Sequence, residues 1–263
     1  MGISFSSAQA GTLAQFRTRL GDLEVELFDQ DKPVTVENFL RHVRSGAYTN
    51  VIIHRWVPGF VIQGGGYYVT TRSNTTIIDA IARQPAITNE YAVGRKFSNT
   101  YGTLAMARVG GMTNSATSEW FINLGNNAGL DAVDGGFTVF GRVLSGTNLL
   151  NRFNNTATSN GVFLARLGSP LNELPVLSPT PGYQDLIYVD ISLLRVQVLS
   201  RSNGGKEIRW TSVSNRLNHL ETSDTLPPRW QNLATTNGTG GSVTFTDTDT
   251  RSSTRFYRVR VDY

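Results

Sequence analysis

The chain has 263 residues, of which 39% are hydrophobic and 10% aromatic, so it carries enough apolar surface for a sizeable folded core. Charged residues make up only 17%, against about 25% in an average soluble domain, and this shortage favours strands and turns over long exposed helices. The formal net charge of +4 comes from scattered basic residues, and cysteine is absent. These features argue against nucleic-acid binding, disulfides, thiolate nucleophiles and cysteine-ligated metals.

The N-terminal tail, residues 1–10, precedes the first predicted strand. It is too short and too polar for a complete signal peptide, yet Ala8-Gln9-Ala10 resembles the small-residue end of one. The tail is therefore either the remnant of an export signal or an ordinary disordered terminus. In the first case we expect an exported bacterial protein, periplasmic or extracellular, and the cytoplasm is the alternative. No run of about 18 apolar residues occurs, so no membrane-spanning helix is predicted.

The first predicted elements are a hairpin and a helix. Residues 13–28 alternate apolar and polar side chains on both sides of a turn, which predicts two short antiparallel strands. Residues 33–46 place apolar side chains at helical spacing, and the helix is expected to end at Gly46. Thr35 and Asn38 offer it a weak N-terminal cap.

Short β-rich runs predict the next strands. Residues 51–63 contain two such runs that flank Pro58-Gly59, which predicts a strand, a turn and a second strand. Residues 67–90 are polar, and no element is predicted there. Three further strands are predicted over 102–108, 119–124 and 137–144, followed by a short helix over 146–153.

The last third of the chain predicts a second domain. Four prolines within residues 168–182 indicate an irregular connection, and Leu186–Leu199 reads as one long strand. The run Ser202-Asn203-Gly204-Gly205 is a natural boundary, so we expect a domain over 11–200 and a small β-module over 206–263. Alternating Thr and Asp around Asp247 and Asp249 favours a plain turn over a calcium loop.

Three blocks carry a family resemblance. The sequence HRWVPGFVIQGG at 54–65 resembles the signature of the cyclophilins, the peptidyl-prolyl cis-trans isomerases. Residues 102–108 (GTLAMAR) with 114–123 (NSATSEWFIN) resemble the second signature of this family in its bacterial form. The third block is Leu130-Asp131 followed by residues 137–143 (FTVFGRV). The resemblance extends over roughly residues 12–198.

The resemblance implies a fold and a substrate class. The fold is mainly β: a closed eight-stranded antiparallel barrel capped by two helices, here followed by a small C-terminal β-sandwich-like module. A groove on the outer wall of such a barrel binds extended or unfolded polypeptides at Xaa-Pro bonds. Proline-containing polypeptides are therefore the expected partners, and cyclosporin-type cyclic peptides are further partners that the resemblance implies.

The resemblance also implies site residues. Arg55 falls on the catalytic arginine, Phe60 on the floor of the proline pocket, and Gln63 on the glutamine that helps to hold the substrate carbonyl. Seven further positions fall on substrate contacts: Val61, Ala107, Arg108, Glu119, Phe121, Leu130 and Phe137. Ala107 and Arg108 match positions whose backbone pairs with the extended peptide. Taken singly, Phe60 and Phe121 would be read as core residues and Arg55 as a surface charge.

The chemistry of such an isomerase can be argued from the amide itself. Interconversion of an Xaa-Pro bond faces a barrier of about 20 kcal/mol, because resonance gives the C–N bond double-bond character. A catalyst needs an apolar socket for the ring and a cationic donor for the twisted state, and it needs no nucleophile, metal or cofactor. An arginine suits this task because its planar guanidinium offers several donors in fixed directions.

Three departures from the family pattern leave a second function open. Glu119 stands where Gln is common, Gly129 where Trp or Phe usually precedes the Leu-Asp pair, and Phe137 where His or Tyr is usual. We expect Glu119 to weaken catalysis, either by facing the substrate carbonyl or by pairing with Arg55. The alternative function is a proline-peptide binding or scaffolding protein of low activity, whose C-terminal module mediates attachment to a partner or surface.

Overall fold

A computed structural model describes residues 12–194, 196–212, 217–239, 241–252 and 254–261. The chain divides into two compact units, with the division between Ser192 and Leu193. The N-terminal tail at 1–10, interpreted as either an export remnant or an ordinary terminus, lies outside the described residues.

The first unit is mainly β. Its elements are β1 (Leu13–Thr18), β2 (Gly21–Leu27), α1 (Pro33–Arg44), β3 (Val51–Ile52), β4 (Arg55–Val57), β5 (Val61–Gly64), β6 (Tyr67–Arg72), β7 (Thr75–Ala80), β8 (Thr103–Met106), β9 (Trp120–Asn123), β10 (Val139–Ser145), α2 (Thr147–Asn154), β11 (Phe163–Ala165), β12 (Leu174–Val176) and β13 (Tyr188–Leu194). The predicted mainly β class and the two helices are confirmed.

Eleven of these strands form one antiparallel sheet. Its order is β4-β5-β9-β8-β10-β2-β1-β13-β3-β6-β7. β3 and β4 belong to one short segment, Val51–Val57, yet they pair with neighbours far apart in this order. A single segment can pair at both places when a sheet curves round on itself, as strands do in barrels.

The β6–β7 hairpin is not predicted from the sequence. Residues 67–90 were expected to lack an element, but Tyr67–Arg72 and Thr75–Ala80 pair in register around a two-residue turn. Ser73 and Asn74 both have positive φ, 47° and 62°, which is the turn geometry that suits the twist of a hairpin. The β-branched Thr and Ile residues of this segment favour strands, but the segment is polar overall and therefore does not have the appearance of a strand.

Helix α1 begins at Pro33 as predicted, but its cap is different. The expected cap from Thr35 and Asn38 is wrong, because the carboxylate of Glu90 accepts the backbone N–H groups of Val34 (3.1 Å) and Thr35 (2.7 Å). A carboxylate there complements the positive end of the helix dipole. Within the described residues, no helix is long and apolar enough to cross a membrane.

The core under α1 is aromatic. The ring of Phe39 on α1 lies 5.9 Å from Phe16 on β1 and 5.3 Å from Phe140 on β10, measured between ring centres. Trp120 on β9 meets Phe16 edge-on at 5.0 Å. All four side chains are buried, so this cluster joins the helix to strands that are distant in the sequence.

The second unit contains two three-stranded sheets. Their strands are β14 (Val196–Ser200), β15 (Lys206–Thr211), β16 (Leu217–Ser223), β17 (Gln231–Asn237), β18 (Ser242–Asp247) and β19 (Phe256–Val261), in the orders β14-β15-β18 and β17-β16-β19. Ile208 and Trp210 of the first sheet and Leu220 of the second are buried in one hydrophobic cluster. This arrangement agrees with the expected sandwich-like module.

The boundary between the units differs from the sequence expectation. Leu186–Leu199 was expected to be one strand of the first domain, but the structure has two strands here, β13 and β14. β14 pairs with β15, so residues 196–200 belong to the second unit. The pattern of apolar residues runs across the junction without a break, and only the pairing partners distinguish the two strands.

The Asp-rich turn of the second unit is held by arginines. Asp247 accepts a hydrogen bond from the hydroxyl of Tyr257 (2.8 Å) and pairs with Arg255 (3.0 Å). Asp249 pairs with Arg251 (2.7 Å) and Arg255 (2.8 Å), and these hydrogen bonds lower the pKa of Asp249 well below its usual range. Both carboxylates are thus occupied by guanidinium groups, which agrees with the turn expected from the sequence.

We expect the first unit to fold when the chain ends at Leu194. A chain that ends at Ser200 would retain β14 without its partner β15, and an unpaired strand edge promotes association. Thermal melts followed by circular dichroism, with size-exclusion chromatography of both shortened chains, test this. A non-cooperative melt of the chain ending at Leu194 would contradict the assignment of two separately folding units.

Candidate active site

A pocket of about 170 Å³ brings the predicted site residues together. It is lined by Arg55, Phe60, Val61, Gln63, Ala107, Arg108, Phe121, Leu130 and Phe137. Every site residue predicted from the sequence is therefore in this lining except Glu119. A larger cavity of about 620 Å³ lies beside the end of β2 and residues 95–98, and it contains none of the predicted site residues.

Strand pairing sets the spacing of the pocket residues. β5 and β9 pair so that Gln63 lies opposite Phe121, and β4 and β5 pair so that Arg55 lies opposite Gln63. Side chains alternate along a strand, so Val61 and Gln63 share one face of β5. Two apolar side chains, Val61 and Phe121, and two polar ones, Arg55 and Gln63, therefore lie on the same face of three neighbouring strands.

Phe60 sits in the turn between β4 and β5. Its backbone N–H donates to the carbonyl of Val57 (3.0 Å), and Gly59 adopts a φ of 71°, which residues with a side chain rarely adopt. The carbonyl of Phe60 accepts hydrogen bonds from the backbone N–H of Leu124 (2.8 Å) and from the side-chain amide of Asn127 (2.7 Å). These bonds hold the following loop, which carries Leu130, against the turn.

Arg108 lines the pocket with its side chain as well as its backbone. Only 2% of this side chain is exposed, and its guanidinium lies 4.2 Å above the ring centre of Phe137. One terminal nitrogen donates to the carbonyls of Val133 (2.7 Å) and Asp134 (3.1 Å). The stacked pair of Arg108 and Phe137 thus forms one wall of the pocket. Gly129, which stands where the family usually has an aromatic residue, has no side chain to contribute. The family resemblance implies a contact only for the backbone of Arg108, and the sequence pattern does not indicate this side-chain role.

Trp120 does not contribute to the pocket. It neighbours Phe121 on β9, but its side chain is 1% exposed and packs into the core against Phe16. A side-chain carbon added at Gly64 would lie 2.6 Å from the indole of Trp120. The absence of a side chain at Gly64, the last residue of β5, therefore makes room for this tryptophan.

The carboxylate that binds Arg55 is Glu173. The Nε of Arg55 donates to Glu173 at 2.6 Å, and the guanidinium lies 5.8 Å from the ring centre of Phe60. Glu173 follows Arg55 by 118 residues, and no motif in the sequence indicates it. The pair between Arg55 and Glu119, one of the two arrangements expected from the sequence, is wrong, because Arg55 pairs with Glu173.

Glu119 binds Gln63 instead. One carboxylate oxygen accepts a hydrogen bond from the Gln63 amide at 2.7 Å and lies 3.4 Å from the Nε2 of His54. The other oxygen lies 3.4 Å from a terminal nitrogen of Arg83. Neither the contact with Arg83 nor the bond to Gln63 is indicated by the sequence. Glu119 therefore occupies a donor of a residue that lines the pocket.

Glu119 is held in its charged form. Burial by itself raises the pKa of this carboxyl, but the hydrogen bonds from His54 and Gln63 and the charges of His54 and Arg83 together outweigh burial and lower its pKa below 4.5. Near neutral pH the group is therefore an ionised acceptor that cannot donate a hydrogen bond.

Comparisons with known proteins identify the family of the first unit. Residues 13–173 match the family model of the "Cyclophilin type peptidyl-prolyl cis-trans isomerase/CLD". A peptidyl-prolyl cis-trans isomerase of Acinetobacter baylyi is 38% identical over 154 residues, which cover 58% of this chain and 77% of that protein. Peptidyl-prolyl cis-trans isomerase B of Escherichia coli is 38% identical over 151 residues, which cover 56% of this chain and 86% of that protein. A crystal structure of a cyclophilin type isomerase from Cryptosporidium parvum aligns with a TM-score of 0.48 at 24% identity, covering 69% of this chain and 96% of that one.

The chain belongs to the cyclophilin type peptidyl-prolyl cis-trans isomerase family. The resemblance noted in the sequence blocks is thereby confirmed, and so is the enzyme class. The match ends at residue 173, so the second unit lies outside it.

We expect Glu119 to stabilise the fold in a pH-dependent way. Its pKa is lowered on folding, so its ionised form contributes stability above about pH 4.5, and this contribution is lost as the pH falls through the lowered pKa. Glu119→Gln should therefore lower the melting temperature at about pH 7, and the difference from the wild type should shrink at about pH 3. Circular dichroism melts across this range measure it.

The control for this experiment is Glu37→Gln. Glu37 forms an exposed pair with Arg44, and such pairs contribute little to stability, so the melting temperature should change little. A Glu119→Gln difference that is the same at both pH values would show that the loss comes from packing rather than from charge.

Proposed function

We propose that this chain isomerises Xaa-Pro bonds of extended or unfolded polypeptides in the pocket lined by Arg55 and Phe60. The observation that carries the proposal is that a guanidinium lies 5.8 Å from the ring centre of Phe60, beside a pocket of about 170 Å³. Phe121, Leu130 and Phe137 supply the other apolar walls. An apolar socket of this kind can hold a proline ring and keep the reacting amide away from water.

Arg55 acts on the twisted amide in this proposal. A planar amide delocalises the nitrogen lone pair into the carbonyl, and twisting about the C–N bond ends this delocalisation. The nitrogen then becomes a hydrogen-bond acceptor, which it is not in the ground state. A guanidinium that donates to this nitrogen binds the transition state more strongly than it binds either isomer. Only such differential binding lowers the barrier.

We expect Arg55→Ala to remove most of the activity. The rate of exchange between the cis and trans forms of a neutral Xaa-Pro peptide, measured by two-dimensional NMR exchange spectroscopy, should fall about a hundredfold, as when one preorganised transition-state donor is lost. Arg142→Ala is the matched control, because Arg142 is an exposed arginine that pairs with Glu26 outside the pocket. Undiminished exchange in Arg55→Ala would contradict the role given to this residue.

A second function, proline-peptide binding with little turnover, is favoured by one observation. Glu119 takes the amide of Gln63 at 2.7 Å, so a donor that the resemblance assigns to the substrate carbonyl is already engaged. Binding of the proline ring in the apolar pocket does not need this donor, whereas turnover benefits from it. NMR titration separates the two functions, since peptide binding without exchange in the wild type would support the binding protein.

We expect Glu119→Gln to increase the exchange rate. A neutral amide at this position holds Gln63 less strongly than a carboxylate does, because charge-assisted hydrogen bonds are the stronger ones. If release of the Gln63 amide lowers the barrier by about 1.4 kcal/mol, the value of one hydrogen bond, the exchange rate should rise about tenfold. Glu37→Gln on α1 should leave the rate unchanged. A Glu119→Gln rate equal to or below that of the wild type would mean that Glu119 does not weaken catalysis.

Further expectations rest on the resemblance and on composition. Export, binding of cyclosporin-type cyclic peptides, the absence of nucleic-acid partners and a role of the C-terminal module in attachment to a partner or surface all stay predictions. The chain ending at Leu194 offers a direct comparison for the last of these, since it lacks strands β14 to β19.

A further inference from the structure

Glu173 is bound to Arg55 through one specific nitrogen. Its carboxylate accepts the Nε–H of Arg55 at 2.6 Å, and Glu173 is not among the residues that line the pocket. A guanidinium has five N–H donors, and four of them belong to the two terminal nitrogens. A bond to Nε engages only the fifth, so the four terminal donors stay available for a bound peptide.

The backbone of Glu173 is fixed beside Arg55. The backbone N–H of Trp56, the residue after Arg55, donates to the carbonyl of Glu173 at 2.7 Å. The next residue, Leu174, begins β12 and is buried with Ile52 in one hydrophobic cluster. Glu173 therefore presents its carboxylate from a strand end that the core holds in place.

Two contacts together define where the guanidinium lies. The carboxylate of Glu173 fixes the direction of the Nε–H bond, and the ring of Phe60 lies 5.8 Å from the guanidinium carbon. Because the guanidinium is planar, fixing Nε also restricts the directions of both terminal nitrogens. A long side chain that is otherwise free to change rotamer is thus held near the pocket.

The pair contributes more to geometry than to the stability of the fold. The side chains of Arg55 and Glu173 are 35% and 42% exposed, and solvent screens ion pairs at such exposure. Preorganisation of a transition-state donor, in contrast, affects the rate directly.

We propose that Glu173 is a positioning residue for the isomerisation, which holds Arg55 through Nε so that the terminal nitrogens face the twisted amide. This inference rests on the proposed function, since it concerns the same pocket and the same arginine. Glu173 acts through Arg55 and does not touch the substrate.

A double-mutant cycle with Arg55 tests the proposal. The variants are Glu173→Ala, Arg55→Ala and the double variant, and the exchange rate of a neutral Xaa-Pro peptide is measured at several peptide concentrations to separate kcat from KM. Glu173→Ala should lower kcat about tenfold and leave KM nearly unchanged, because a misplaced donor affects the transition state more than binding. In the Arg55→Ala background, loss of Glu173 should have no further effect.

Two further variants make the result specific. Glu173→Gln keeps an oxygen that can accept the Nε–H bond, so it should retain most of the wild-type kcat. Glu37→Ala breaks an exposed Glu–Arg pair on α1 and should leave kcat unchanged. Circular dichroism melts of all variants report whether the fold is intact.

The outcomes separate this proposal from the proposed function. An active wild type whose kcat is unchanged or raised in Glu173→Ala overturns the positioning role alone. Equal losses with and without Arg55 would show that Glu173 only supports the fold of β12, which also overturns it. A wild type that does not accelerate exchange overturns the proposed function, and the positioning role falls with it.

Discussion

The packing of Trp120 against Gly64 and Gly65, at the end of β5, is the constraint on which the pocket depends. Its indole occupies the space that a side-chain carbon would need at Gly64 (2.6 Å) or Gly65 (2.8 Å), and its other contacts are in the core. A shift of β9 by one residue would carry this large side chain to the outer face. The register that buries Trp120 therefore also turns Phe121 outward, opposite Gln63.

The parts of the fold that follow from short-range patterns could be predicted from the sequence. Alternating residues at 13–28 and the apolar spacing of residues 33–46 each describe an element whose partners are close in the chain. The pocket residues were predicted because they occur in ordered blocks that resemble a known family, and not because any one of them is distinctive. Phe60 and Phe121, taken alone, have the appearance of ordinary core residues.

The parts that could not be predicted depend on contacts between distant residues. Glu173 lies 118 residues after Arg55, and Glu90 lies 55 residues after Thr35, whose backbone N–H it accepts at the start of α1. Contacts at such separations leave no local pattern in the sequence. The division at Ser192–Leu193 was hidden because apolar residues continue through β13 into β14. Which strand a run of β-type residues joins is decided by its pairing partners, and a single sequence does not state those partners.

Two carboxylates beside the pocket, Glu119 and Glu173, bind polar groups that differ in their number of hydrogen-bond donors. The amide of Gln63 has two N–H donors on a single nitrogen, and Glu119 binds that nitrogen at 2.7 Å. The guanidinium of Arg55 spreads five donors over three nitrogens, and Glu173 binds the nitrogen nearest the backbone. The same kind of bond therefore withdraws a scarce donor in one case and orients a plentiful set in the other. In the proposed function, the effect of each carboxylate on catalysis follows from which nitrogen it engages, and not from the negative charge that both share.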